Sequence, residues 1–132
     1  VTEFATDLWK THLPEGWEGG EAEDDDGVVL FHPDGPGELQ ITVSEKEEGL
    51  VDEADLEYFA ADLLEDNLPE TIVRVGPFQG LFFEYDEDGE YWREWFLAYD
   101  ELFFYVTYSC DVANKHQEDH AITEILKSIS FH

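Results

Sequence analysis

Leu81-Phe82-Phe83-Glu84-Tyr85-Asp86, Glu90-Tyr91-Trp92-Arg93-Glu94-Trp95-Phe96-Leu97-Ala98-Tyr99 and Leu102-Phe103-Phe104-Tyr105-Val106-Thr107-Tyr108-Ser109-Cys110 are three aromatic-rich runs. They are joined by Glu87-Asp88-Gly89 and by the tight Asp100-Glu101 turn, so they read as a three-strand antiparallel meander. Side chains alternate between the faces of a strand. Tyr91, Trp95 and Leu97 therefore share one face, and Trp92, Phe96 and Ala98 share the other. A strand apolar in both phases is covered on both sides or leaves one adhesive face.

Upstream, Thr71–Gly76 is a short β-branched strand, and Val51–Leu68 carries Leu56, Phe59, Ala60, Leu63 and Leu64 at helical spacing. Asp52 is placed as an N-cap, Asp55 as its capping-box partner, and Pro69 as the stop. Glu53 with Glu57, and Asp62 with Asp66, are like-charge pairs one turn apart, each costing about 0.2–0.5 kcal/mol in an isolated helix. A second helix is expected from about Lys115 to Ile129, with Asn114 and Gln117 at cap spacing and Ala121, Ile122, Ile125, Leu126 and Ile129 inward. Val28–His32 and Glu38–Ser44 flank a Pro-Gly turn as a further hairpin, Asp24-Asp25-Asp26-Gly27 reads as a solvated loop, and Phe4–Leu13 reads as a lead-in strand. The order predicts one α+β domain over residues 1–132.

Several pieces together resemble the PsbP-like group, which includes photosystem II PsbP, the Ran-binding Mog proteins and effector-associated chaperones of type VI secretion. They are Leu13-Pro14-Glu15-Gly16-Trp17 after a lead strand, the hairpin ending Leu39-Gln40-Ile41-Thr42-Val43, the helix near Leu56–Leu64, Gly80 entering the meander, and the closing Ile125-Leu126-Lys127-Ser128-Ile129-Ser130-Phe131. The resemblance implies an α/β/α sandwich around a twisted, mainly antiparallel sheet of about six to seven strands, with two main helices. It does not assign a branch, and it carries over no catalytic residues.

Charge bounds the partners. The chain has 34 Asp and Glu against 6 Lys and Arg, a formal net charge of -28 over 132 residues. The excess is dispersed: ten carboxylates lie between Lys10 and Lys46, and ten more between Lys46 and Arg74. Disorder is excluded by 42% hydrophobic and 15% aromatic content. Nucleic acid and anionic membrane surfaces both require clustered cations, so neither is expected as a partner. A basic or apolar protein partner is expected instead, with the oligomeric state left open. The alternative is that the charge reflects a molar-salt interior, where like charges are screened within about 3 Å. With one cysteine, no apolar run long enough to span a bilayer and no signal-peptide pattern, the cytoplasm is the expected compartment. A removed leader is left open because the chain lacks an initiator Met.

Candidate chemistry is sparse. Tyr91, Trp92, Arg93 and Trp95 are the binding candidates: the cluster reads as a two-sided core or as an acid-rimmed groove for an apolar segment. Arg93 would anchor a substrate anion or, more simply, a neighbouring Glu such as Glu84. His116 and His120 are spaced one helical turn apart, as zinc ligands can be, and support the weakest reading, a metal-dependent enzyme. They face away from the apolar stripe, and no third ligand is identifiable. Glu84–Gly89 matches only the first half of a calcium loop. Cys110 reads as a small buried hydrophobe, the serines lie in no nucleophile motif, and no cofactor-binding signature is found.

Overall fold

Asp88 and Gly89 both take left-handed backbone angles, φ 51° and 84°, which suits the twist of a two-residue hairpin turn. The computed structural model describes residues 2–22 and 27–132, so the Asp24–Asp26 part of the acidic loop lies outside the described residues. In chain order the elements are β1 (Thr2–Ala5), β2 (Trp9–Leu13), β3 (Glu18–Glu21), β4 (Val28–Phe31), β5 (Glu38–Glu45), α1 (Glu53–Phe59), α2 (Ala61–Glu65), β6 (Thr71–Val75), β7 (Phe78–Glu87), β8 (Glu90–Tyr99), β9 (Leu102–Asp111), α3 (Asp119–Lys127) and β10 (Ser130–Phe131). The meander β7–β8–β9 forms as its sequence predicts. It sits inside a seven-stranded antiparallel sheet of order β3-β4-β5-β9-β8-β7-β6.

Both faces of that sheet are covered, as the two-phase apolar pattern requires. On the first face α3 presents Ile122, Ile125 and Leu126 to a core that includes Leu39, Ile41, Phe78, Leu97, Phe104 and Val106. On the second face α1 and α2 lay Leu56 and Ala60 over Leu81, Phe83, Phe96 and Phe103, with Leu63 and Leu64 packed at the margin. The result is the expected α/β/α sandwich.

A second, three-stranded sheet of order β1-β2-β10 completes the first face. The lead-in segment is thus a hairpin rather than one strand. Thr6 turns it: its hydroxyl accepts from the Trp9 amide at 3.1 Å, and its own amide donates to the Trp9 carbonyl at 2.8 Å. Buried Thr11 then ties β2 to α3 by donating to the Ile125 carbonyl at 2.7 Å. Trp9 meets Phe104 edge-on at 6.0 Å.

Two expected helices are shorter than their sequence patterns. Asp52 caps α1, its carboxylate accepting from the Asp55 amide at 2.9 Å while Asp55 accepts from the Asp52 amide at 3.0 Å. The ladder then breaks at buried Ala60, whose carbonyl accepts from both Leu63 and Leu64, so the predicted single helix is two short ones. At the other end α3 starts at Asp119, not Lys115. His116 adopts φ 73°, and Glu118 turns its side chain to the Tyr108 hydroxyl instead of capping. Asn114 and Gln117 do bond to each other, at 3.0 Å, within the turn that precedes the helix.

Gly80 lies where β7 passes β8, and a Cβ there would come within 2.0 Å of the Phe96 carbonyl oxygen. Gly80→Ala should therefore cost about 1–3 kcal/mol by overpacking. Phe104→Ala, at a fully buried position, should cost about 3–5 kcal/mol by opening a cavity. Urea unfolding monitored by circular dichroism reads both as lowered midpoints with an unchanged slope. Wild-type midpoints for either variant would contradict this packing.

Candidate functional site

Strand β8 distributes its binding candidates between the two faces. Tyr91 and Trp95 are buried in the first-face core, at 0% and 5% exposure, so they do not line a groove. Arg93 shares their face, but Trp92 lies on the opposite one, partly exposed. Arg93 does not pair with Glu84, its neighbour across the strands. The start of α3 lies over this end of the face, and Arg93 donates to Asp119 at 3.1 Å. Its guanidinium lies 5.1 Å from the Phe82 ring centroid and 4.7 Å from that of Trp95. Glu84 instead accepts from the Tyr91 hydroxyl at 3.2 Å.

The same end of the first face holds Lys115 against Asp86, at 3.0 Å, and over the Tyr91 ring. His116 bonds through Nδ1 to Asp119 at 2.8 Å and packs edge-on to Tyr91. Because His116 precedes the helix, it and His120 are not stacked on successive helical turns. His120 stands in solvent, 3.9 Å from Glu124. Among the described residues no group of three or more His, Cys, Asp and Glu side chains is placed to hold a metal ion. The acids of Glu84–Gly89 are likewise divided by strand alternation, Glu84 and Asp86 to one face and Glu87 to the other. Cys110 is buried, and that burial raises its thiol pKa, the opposite of an activated nucleophile.

The second face carries a constellation that the sequence reading missed. Helices α1 and α2 cover only the Leu81, Phe83, Phe96 and Phe103 end. Beyond them Tyr85, Trp92, Tyr105, Thr107 and Ser109 are partly exposed. Between the tyrosines lies Glu94, only 6% exposed. Tyr85 donates to its Oε2 and Tyr105 to its Oε1, each at 2.5 Å. Both carboxylate oxygens thus accept from phenols. No Lys, Arg or His among the described residues lies within 4.0 Å of that carboxylate. The missed signal was a Glu in the inward phase between Trp92 and Phe96, with a Tyr on each flanking strand.

Two concavities adjoin these faces. A cleft of about 730 Å³ on the first face is lined by Phe4, Leu8, Trp9, Val28, Ile41 and Val43, and it borders Gly27, next to residues outside the described set. A groove of about 270 Å³ runs between α1 and the β6–β7 edge, with Val51, Leu56, Ile72 and Leu81 at its base and Asp52 and Glu53 at its rim.

Burial first, and then the neighbouring carboxylates, hold the Tyr85, Tyr105 and Tyr108 hydroxyls protonated well above the ordinary phenol range. Burial does the same for Tyr91, against the opposing pull of Arg93. A raised folded-state pKa contributes stability that is complete below the unfolded value, about 10, and is lost as pH rises beyond it. At about pH 11 the folded protein should therefore show phenolate absorbance from at most two of its six tyrosines, with the rest appearing on denaturation. Six tyrosines ionising together in the folded state would contradict the arrangement.

No protein-family model matches the chain, and no curated protein does. Among solved structures, a protein of Bacteroides thetaiotaomicron VPI-5482 is similar with a TM-score of 0.68 at 15% identity, over 94% of this chain and 45% of that one. The chain thus spans less than half the length of that protein. The solution structure of cyanobacterial PsbP from Synechocystis sp. PCC 6803 is similar over 99% of this chain and 92% of that one, with a TM-score of 0.49 and 15% identity. The chain shares its fold with the Bacteroides structure, and a likeness at this level of identity is one of fold alone.

Proposed function

We propose that this chain is a non-enzymatic binding or accessory protein whose acidic exterior engages a basic protein partner. The observation that carries the reading is the shortage of internal neutralisation. Among the described residues only Asp55, Asp86 and Asp119 have a Lys or Arg within 4.0 Å, and only Glu94 and Glu118 of the carboxylates are buried. The remaining field is available to a partner. Dispersed charge of one sign speeds encounter with the opposite sign and repels polyanions. The site chemistry supports the same reading: the histidines stand apart, the thiol is buried, and the tyrosines are held as neutral donors.

A second reading has its own observation. Glu53 and Glu57 share α1 without a basic residue in its last turn, and α2 has none either, a repulsion that molar salt would screen. Thermal melting across a KCl series separates the two. A partner-binding domain should stay folded in dilute buffer, with its melting temperature moving by only a few degrees up to molar salt. Loss of the fold at low salt, regained steadily with KCl, would assign the charge to salt adaptation. Affinity capture from the source organism at its own ionic strength should then enrich a basic or apolar protein, and enrichment of neither would count against the binding reading.

A further inference from the structure

We propose that Tyr85, Trp92, Glu94 and Tyr105 on the uncovered half of the second face form a receptor for a guanidinium group, carried by an arginine of the partner protein. The inference rests on the binding function above and names its site and the chemistry it selects.

Hydrogen-bond capacity selects the ligand. A phenol has one proton to donate, and Tyr85 and Tyr105 both spend theirs inward on Glu94. Their remaining lone pairs can only accept, and the buried carboxylate beneath polarises them further. The face therefore offers two acceptors that have no donor to give, which favours a group that is all donor. Guanidinium is such a group: it is planar, permanently charged and carries five N–H donors. Trp92 lies two residues from Glu94 on the same face, partly exposed, where a planar cation can stack.

A second observation points to the same charge. Glu87 lies opposite Glu90, and Glu90 lies opposite Asp111, so three adjacent strands place acids side by side at the end of this face. All three are exposed, and among the described residues none has a cationic partner within 4.0 Å. Like charges directly opposite destabilise a sheet. A bound basic segment relieves that repulsion, so the row becomes favourable only in the complex. Phosphate and nucleic-acid ligands are repelled by the same row. Lysine satisfies the charge but lacks the planar fork, so the site should discriminate between two cations of equal charge.

The test compares tetra-arginine and tetra-lysine peptides of identical charge by titration calorimetry at moderate salt, with acrylamide quenching of tryptophan as a second reading. Trp9, Trp17 and Trp95 are buried, so quenching reports chiefly on Trp92. Tetra-arginine should bind roughly threefold to thirtyfold more tightly than tetra-lysine and should shield Trp92. Trp92→Leu should abolish the preference, and Glu57→Gln with Glu65→Gln, on exposed helix positions, should leave it intact. Thr107→Lys, a cation placed beside Glu94 on the neighbouring strand, should abolish it too, and serves if Trp92→Leu does not fold. Equal binding of the two peptides, or a preference that survives both substitutions, would overturn this site while leaving a diffuse electrostatic binding function. Failure of both peptides to bind at any salt would overturn the binding function as well.

Discussion

A sheet with large apolar side chains in both phases must be covered twice, and this one constraint organises the molecule. Strand β8 alone places Trp95 and Leu97 on one side and Phe96 on the other, all buried. An isolated meander of this composition would bury little of that surface. The helices therefore have fixed tasks. Helix α3 packs on the first face and the α1–α2 pair on the second, and the small sheet of β1, β2 and β10 extends the cover of the first.

The two covers are unequal. On the first face the stack runs from the sheet through Phe78 and Phe104 to Phe131 and Trp9. Among the described residues the buried polar side-chain groups of that face are paired except for Arg93 Nε, which is buried without a hydrogen-bond partner. Glu118 is buried yet accepts from the Tyr108 hydroxyl at 2.8 Å and the Gly37 amide at 3.2 Å. On the second face the helix pair stops short. Past its edge Tyr85 and Tyr105 bond to the Glu94 carboxylate, which has no cationic partner within 4.0 Å among the described residues. Burying a charge is costly unless it is hydrogen-bonded, and the two phenols are what make Glu94 tolerable there.

Much of this was legible in the chain because local chemistry and global packing agree. The Asp88-Gly89 turn, the Asp52–Asp55 capping box and the apolar stripe of Ile122, Ile125, Leu126 and Ile129 each signal themselves over a few residues. What escaped depends on partners far away in sequence. Strand β3 contains Glu-Gly-Gly-Glu, a poor strand former, and exists because β4 offers it a ladder. Strand β10 has two residues, held by pairing with β2. The early start expected for α3 failed because Glu118 finds Tyr108 and Gly37 across the fold. Arg93 chose Asp119 over the adjacent Glu84 for the same kind of reason. The Tyr–Glu–Tyr bridge joins three strands, so alternation could suggest it but no short motif announces it.

The pairing of β10 with β2 has a consequence for the order of assembly. Ser130 lies opposite Lys10, and Thr11 bonds to Ile125, so the amino-terminal hairpin takes its tertiary partners from more than a hundred residues away. Closing so long a loop costs entropy before any contact rewards it. The meander, whose strands are joined by two-residue turns, carries no such delay and can form first. The hairpin that begins the chain is then among the last parts to acquire a fixed place, and pulsed hydrogen exchange during refolding would see its amides protected after those of β7 to β9.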